Sequence, residues 1–323
     1  MMQFLRVLLF SFAILYAGQA LAQSFKFVAL GDMPYTIPDD YVRYERLITE
    51  INKMNPSFSI FIGDTKSGSS PCSDEYNLVV KQHFNQYLSP LIYSIGDNEW
   101  TDCHRAQAGA FDPLERLQNL RKTFFQSKAS LGRSTLPLTR QSDIDTRHSK
   151  YVENSYWVKN NFLFVNLHIT GSNNNFERDE SAKREYLERN QANLSWIDQA
   201  FTLAAHKKYA GIILFYQADM FYSPSQTTDL TSGYRDTLQA LSYHAQAYKK
   251  PVLLIHGDSH RLIIDQPLKT IDQKHILENV MRLQVMGAEQ VQAVEIQVNP
   301  IAEQPFSFTP ILIRENMNIL EKQ

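Results

Sequence analysis

The chain has little of what marks several common protein classes. Two cysteines in 323 residues cannot build a disulfide scaffold or a four-thiolate zinc site. Its 32 basic residues are balanced by 34 acidic ones, for a formal charge of −2. No basic surplus is present to neutralise phosphates along a nucleic acid, which argues against that class of partner. The 12 glycines and 13 prolines form no collagen-like or low-complexity stretch. No apolar run is long enough to span a bilayer. What remains is 43% apolar and 20% charged, an ordinary globular composition.

Residues 1–22 stand apart. A basic start ending at Arg6 leads into the apolar Val7–Tyr16 and then into the small-residue site Ala20-Leu21-Ala22. This pattern predicts a secretory signal cut before Gln23. The expected location is then secreted or periplasmic, with no membrane span after cleavage, in a compartment that permits disulfides. Residues 23–323 show no linker that would split them and are expected to form a single domain.

Short apolar runs stop abruptly at Gly-Asp. Phe25–Leu30 precedes Gly31-Asp32, Phe58–Ile62 precedes Gly63-Asp64, Leu91–Ile95 precedes Gly96-Asp97, and Val252–Ile255 precedes His256-Gly257-Asp258. A fifth run, Gly211–Tyr216, ends at Gln217-Ala218-Asp219. Runs of this length, bounded by turn residues, suit strands buried on both faces. Helical spacing of apolar residues predicts helices over Asp39–Met54, Asp74–Leu88, Pro113–Phe125, Glu180–Ala205 and Leu230–Tyr248. The alternation predicts a layered α/β fold. Tyr156–Lys159 and Phe162–Ile169 flank Asn160-Asn161 and read as a hairpin. The runs Ile263–Asp265, Met281–Val285, Val294–Val298 and Phe306–Ile313 read as an antiparallel set closing the core, and Ser127–Lys150 as an irregular surface loop or lid.

The glycines and aspartates of this chain would meet as Gly-Asp less than once by chance, yet four pairs occur, each ending an apolar run. Ligands of open α/β sheets bind outside the carboxyl ends of the strands, so Asp32, Asp64, Asp97 and Asp258 are expected to converge there. Four carboxylates at one rim repel each other unless cations sit among them. Gln217 offers a further oxygen and His260 an imidazole. That donor count predicts two ions bridged by Asp64, an arrangement that binds phosphate esters and activates water.

The motifs Gly31-Asp32-Met33-Pro34, Gly63-Asp64, Gly96-Asp97-Asn98-Glu99, Gln217 and Gly257-Asp258-Ser259-His260 follow in an order that resembles the calcineurin-like metallophosphoesterases. The similarity runs over roughly Phe25 to His260 and is greatest to a secreted bacterial branch with a Gly-Asp-Asn-Glu-Trp motif and flanking cysteines. It implies a four-layer α/β/β/α sandwich, with mixed sheets and flanking helices. It also implies a metal-dependent phosphoester hydrolase acting on a phosphorylated small molecule. One metal would be held by Asp32, Asp64 and His260, the other by Asp64, Asp97, Gln217 and Asp258. The sequence departs from the family pattern at Pro34, Asp97, Asn98, Gln217 and Asp258. Pro34 stands where a metal-binding histidine is expected, which leaves the first position short of a ligand and dependent on water. The surplus of oxygen donors favours Mn²⁺, Mg²⁺ or Ca²⁺ over Zn²⁺. Loss of the motif histidines keeps an alternative open: an inactive binding protein for a phosphorylated ligand or a metal.

Other residues carry weaker signals. Asn98 is expected to hydrogen-bond a phosphoryl oxygen, with His168 and His256 as further catalytic candidates and Asn174, in Gly171-Ser172-Asn173-Asn174, as a substrate-binding one. His168 is also readable as a packed histidine, and His256 as one packed under the metals. Cys72 and Cys103 each follow a Gly-Asp motif and are expected to pair, the alternative being two free thiols. Arg133, Arg140, Arg147 and Lys150 read as a solvated loop face.

Overall fold

The computed structural model describes residues 23–223 and 227–317; the predicted signal segment, 1–22, lies outside them. Among the described residues, twelve strands form two mixed sheets. The first sheet has the order β12-β11-β1-β2-β3. It is built from β1 (Phe25–Leu30), β2 (Ser59–Ile62), β3 (Leu91–Ser94), β11 (Ala293–Val298) and β12 (Phe306–Ile311). The second has the order β4-β5-β6-β7-β8-β10-β9. It comprises β4 (Thr139–Arg140), β5 (Ser155–Lys159), β6 (Phe162–Asn166), β7 (Gly211–Phe215), β8 (Val252–His256), β9 (Ile263–Asp265) and β10 (Val280–Gln284).

Strand alternation explains the layering. Phe27 and Ala29 of β1 face Phe164, Ile213 and Leu253 in an apolar layer between the sheets. Val28 and Leu30, on the opposite face, pack against Tyr44, Leu47 and Ile48 of the helix Asp39–Met54. The second sheet does the same in mirror order. Ile213 and Phe215 point to the shared layer, whereas Ile212 and Leu214 meet Trp196, Ile197 and Phe201 of the helix Glu180–Lys207 and Leu238 of the helix Arg235–Tyr248. The result is the predicted α/β/β/α sandwich. Its central layer is rich in rings, with Phe27 5.1 Å from Phe58 and Trp157 4.9 Å from Phe164.

β1, β2 and β3 run parallel in the first sheet. β6, β7 and β8 run parallel in the second. The predicted hairpin is present: β5 pairs antiparallel with β6 through Asn160 and Asn161, at φ 45° and 69°. Both are left-handed, which is the type I′ requirement that asparagine meets well.

Three expectations change. The C-terminal strands do not form one antiparallel set. β11 and β12 extend the first sheet beside β1, while β10 lies parallel to β8 in the second. β10 has Leu283 in the layer between the sheets and Val280 in the outer one. A strand buried on both faces needs an interior place, and period-two patterning says nothing of its direction. The last helix begins at Arg235, after Ser232-Gly233, rather than at Leu230. The stretch 127–150 is not a lid. Leu131 bridges to Leu91 at the edge of the first sheet, and Thr139–Arg140 pairs with β5 at the edge of the second. This strap closes one side of the sandwich. Its cations are engaged locally: Arg140 with Asp143, Arg147 with Asp145 and Lys150 with Glu188. Among the described residues no helix is long and apolar enough to cross a membrane.

Cys72 and Cys103 form a disulfide across 31 positions. Both sulfurs are buried with Ala108 and Phe111, beside the loops that carry Asp64 and Asp97. Closing a loop of this length stabilises by about 3.5–4 kcal/mol in the chain-entropy description. The folded protein should therefore show no titratable thiol without reductant, and reduction should lower its melting temperature by several degrees. Two reactive thiols in the native protein would contradict this.

Candidate metal centre

Parallel strands end at the same rim, so the residues just beyond β1, β2 and β3 are brought together by topology alone. β7 and β8 deliver Gln217 and Asp258 to the same place from the second sheet. Why glycine precedes each aspartate follows from the packing between these loops. A Cβ on Gly96 would lie 2.1 Å from Asp64 Oδ1, and one on Gly257 would lie 2.1 Å from Asp32 Oδ2. The aspartates themselves bear unusual backbone. Asp32, Asp64 and Asp258 take φ of 53°, 54° and 75°, and His260 takes 58°. Left-handed backbone at non-glycine residues is costly and clusters at functional sites.

Two overlapping groups of donor atoms result. Asp32, Asp64 and His260 form one; Asp64, Asp97 and Asp258 form the other; within each, the atoms lie within 4.8 Å of one another. Asp64 belongs to both, as expected of a bridging carboxylate. Asp32 and Asp64 are buried, and burial, reinforced by neighbouring carboxylates, holds both well above the usual carboxylate range. Burial and then Asp258 push Asp97 up to about 6. Burial pushes Asp258 up to about 6 as well. Asp32 Oδ2 is buried with no hydrogen-bond partner among the described residues. A buried, orphaned carboxylate oxygen in a self-repelling cluster fits a divalent cation held by Asp32, Asp64 and His260 on one side and Asp64, Asp97 and Asp258 on the other. The donor set, oxygen-rich with one imidazole, suits hard cations.

The remaining expected residues are placed as follows. Asn98 is at the cluster: its Nδ2 donates to Asp64 Oδ2 at 2.8 Å and its main-chain N to Asp64 Oδ1 at 3.3 Å. Gln217 is also there, but its Nε2 donates to Asp97 Oδ1 at 3.0 Å while its oxygen accepts from Gly171 N at 2.5 Å. In this geometry it orients Asp97 instead of presenting an oxygen. His168, Asn174 and His256 are engaged elsewhere. His168 is fully buried, with Nδ1 2.8 Å from Glu153 Oε1 and its ring against Trp100. Burial lowers its pKa against the opposing pull of Glu153. Asn174 spends its side chain on Arg189 Nη1 (2.6 Å) and Gly233 O (3.0 Å). His256 stacks on Tyr216 and is kept neutral by burial, which pushes its pKa down to about 4. β8 alternation places it on the outer face with Leu254, and only the turn at Gly257 brings the chain back to the cluster.

Three further residues also reach the site, one of them, Ser172, from the Gly171-Ser172-Asn173-Asn174 loop already read as a phosphate-binding candidate. Tyr35 Oη lies 3.1 Å from Asp64 Oδ2. Ser172 Oγ is 2.9 Å from Asp97 Oδ2 and 2.7 Å from Asp102 Oδ1. It sits in four successive left-handed residues, Ser172 to Asn175, with φ from 49° to 62°. Lys66 is buried; burial lowers its pKa, opposed chiefly by Glu99 and Asp64. The asparagine-rich run after Gly171 is a sequence signal for left-handed backbone, whereas Tyr35 and Lys66 carry none beyond adjacency to a motif. A cavity of about 820 Å³ opens beside Asp258 and Ser172, walled by Asp219, Phe221, Tyr234 and Arg282.

No family model matches the sequence, and no curated protein matches it. Among solved structures, a dimetal phosphatase from Danio rerio is similar at 11% identity and a TM-score of 0.49, over 89% of this chain and 98% of that one. A purple acid phosphatase from yellow lupin seeds is similar at 11% identity and a TM-score of 0.49, over 91% of this chain and 55% of that one. The inner-membrane-complex anchor GAP50 of Plasmodium is similar at 10% identity and a TM-score of 0.49, over 90% and 89%. Likenesses of this degree carry no weight for activity.

The raised carboxyls give a pH dependence of defined sign. Between the ordinary aspartate value of 3.8 and about 6 the folded chain binds more protons than the unfolded one. Their contribution is therefore present at low pH and lost as pH rises through 6. Glu153, which burial would raise but Arg121 and His168 hold low, acts oppositely only below its ordinary 4.5. His168 and His256, held below the ordinary histidine value by burial, act oppositely over the same window, so the cluster is read in the effect of the cation: the gain in melting temperature on adding Mn²⁺ should grow from about pH 4.5 to above pH 6. Melts with and without chelator read this difference; a cation effect independent of pH would contradict the cluster.

Proposed function

We propose that this chain is a metal-dependent phosphoester hydrolase, exported from the cytoplasm, with two divalent cations in an oxygen-rich centre. The observation that carries the reading is Asp64, shared by two donor groups whose atoms in each case lie within 4.8 Å of one another. Mn²⁺, Mg²⁺ or Ca²⁺ suit the donors better than Zn²⁺. When bound, such a pair neutralises phosphoryl oxygens and makes an attacking water more acidic.

The protein's own groups do the positioning. Asn98 holds Asp64 through both its main-chain and side-chain nitrogens. Gln217 and Ser172 hold the two oxygens of Asp97 separately, Oδ1 and Oδ2, which fixes the carboxylate plane. Asp258 N donates to Asp32 Oδ1 at 3.0 Å and ties the two sheets' contributions together. The cavity beside Asp258 receives the organic part of a small phosphorylated substrate. The disulfide supports an oxidising compartment, in keeping with the leader read from residues 1–22.

The test is a panel of aryl phosphate mono- and diesters, assayed after chelation and readdition of Mn²⁺, Mg²⁺, Ca²⁺ or Zn²⁺. Turnover restored by the hard cations is expected. Asp64→Asn should lower metal content more than any other single ligand replacement, because it removes charge from both positions, and should cut turnover by about a hundredfold or more. Metal content equal to the parent's would remove the two-metal arrangement. Bound metal without turnover of any ester would leave a binding protein instead.

A further inference from the structure

The position formed by Asp32, Asp64 and His260 is one ligand short by sequence, because Pro34 has no donor to offer. The structure brings the next side chain to the gap. Tyr35 Oη is 3.1 Å from Asp64 Oδ2 and 3.2 Å from His260 Nε2. Both of those atoms belong to residues of the same donor group, so the phenolic oxygen lies within hydrogen-bond distance of two of its three members. The Tyr35 ring meets the His260 ring edge-on, with centroids 5.2 Å apart at 88°.

This placement is built. The main-chain nitrogens of Tyr35 and Thr36 both donate to Asp40 Oδ2, at 3.1 and 2.7 Å. Asp40 is buried and paired with Arg43 at 2.6 Å. Arg43 in turn donates to the carbonyls of Glu289 and Asn316. The clamp anchors the Tyr35 loop to the first sheet's C-terminal chain, well away from the cations it would serve. On the other side, Asn98 Nδ2 donates to Tyr35 Oη at 3.1 Å and to Asp64 Oδ2 at 2.8 Å. One amide therefore holds the phenol and the bridging carboxylate in register, as outer groups hold metal ligands.

We propose that Tyr35 is a protein ligand of the Asp32–Asp64–His260 position, its phenolic oxygen taking the place that Pro34 leaves vacant. The proposal rests on the reading of the cluster as a metal centre. It replaces the expected dependence on water at that position with a third oxygen donor from the chain. It also leaves a single nitrogen in the whole centre, that of His260, which extends the preference for hard cations to both positions.

Tyr35→Phe removes only the oxygen. Metal content after equilibration with Mn²⁺ and removal of free ion, together with calorimetric titration, should show one of the two ions lost or weakened about tenfold or more, the other unchanged. His260→Ala should weaken the same ion. Copper provides a readout that a mere brace would not move, since a phenolate oxygen bound to Cu²⁺, its proton released to solvent on binding, gives a visible charge-transfer band. That band should be present in the copper-loaded parent and absent from Tyr35→Phe. Melts of the metal-free variants check folding, and Tyr35→His, which restores a donor, should recover the weakened ion. Two ions bound with unchanged affinity in Tyr35→Phe, or copper bound without the band in the parent, would overturn the assignment. A parent that binds no ion at all would instead overturn the reading of the cluster. Tyrosine-dependent binding without ester turnover would remove the hydrolase reading and keep the ligand.

Discussion

Four carboxylates share the rim where β1, β2, β3 and β8 end, and their mutual repulsion governs what surrounds them. Burial raises the cost of ionising each, and proximity raises it again. The neighbouring chain responds with donors. Asn98 turns two nitrogens to Asp64, Asp258 N reaches Asp32, Gln217 and Ser172 take opposite oxygens of Asp97, and Asp219 N takes Asp258 Oδ2. These bonds orient the carboxylates, yet they leave Asp32 Oδ2 unserved. Hydrogen bonds soften the repulsion, and cations at the two shared foci would remove it.

Holding such a cluster requires backbone that is itself expensive, so the surrounding structure must over-determine it. The sandwich does this from both sides. The disulfide Cys72–Cys103 ties the loops after β2 and β3. Beneath Trp100, a buried network links Arg121, Glu153 and His168, while Arg189 donates to the carbonyl of His168 and to Asn174. Removing one member would strand a buried charge, which costs more than the pair contributes. His168 and Asn174 thus support the cluster by fixing the left-handed turn that carries Ser172.

The centre draws on both sheets, and this matters for its chemistry. Asp32, Asp64 and Asp97 come from the first sheet, Asp258 and His260 from the second, and Gly257 packs directly on Asp32. Each donor group therefore contains members from both sheets. Cation binding would then brace one sheet against the other, so metal affinity and global stability are coupled. The same seam places the cavity next to Asp258, beside the donor groups yet walled by residues such as Phe221 and Arg282 that belong to neither of them.

Much of this was legible in the chain. Buried strands show as unbroken apolar runs, turns show as Gly-Asp and Asn-Asn, and helices show as periodic stripes, because burial and backbone preference act locally. The rim itself followed from four runs ending alike, and Asp64 as the shared carboxylate from donor counting. Tertiary structure alone decided the rest. The direction of β10 depends on which strand it lies beside. Gln217 turned its nitrogen to Asp97 because Gly171 claimed its oxygen. His168 is held by Glu153 and Trp100, and His256 by Tyr216, through contacts that form only when separate elements pack. Tyr35 reached the cluster because Asp40 and Arg43 hold its loop, and no local pattern reports a contact between residues 35, 64 and 260. Those outcomes depend on segments that meet only after the sheets have packed, which is why the motifs point to the carboxylate cluster without pointing to what packs around it.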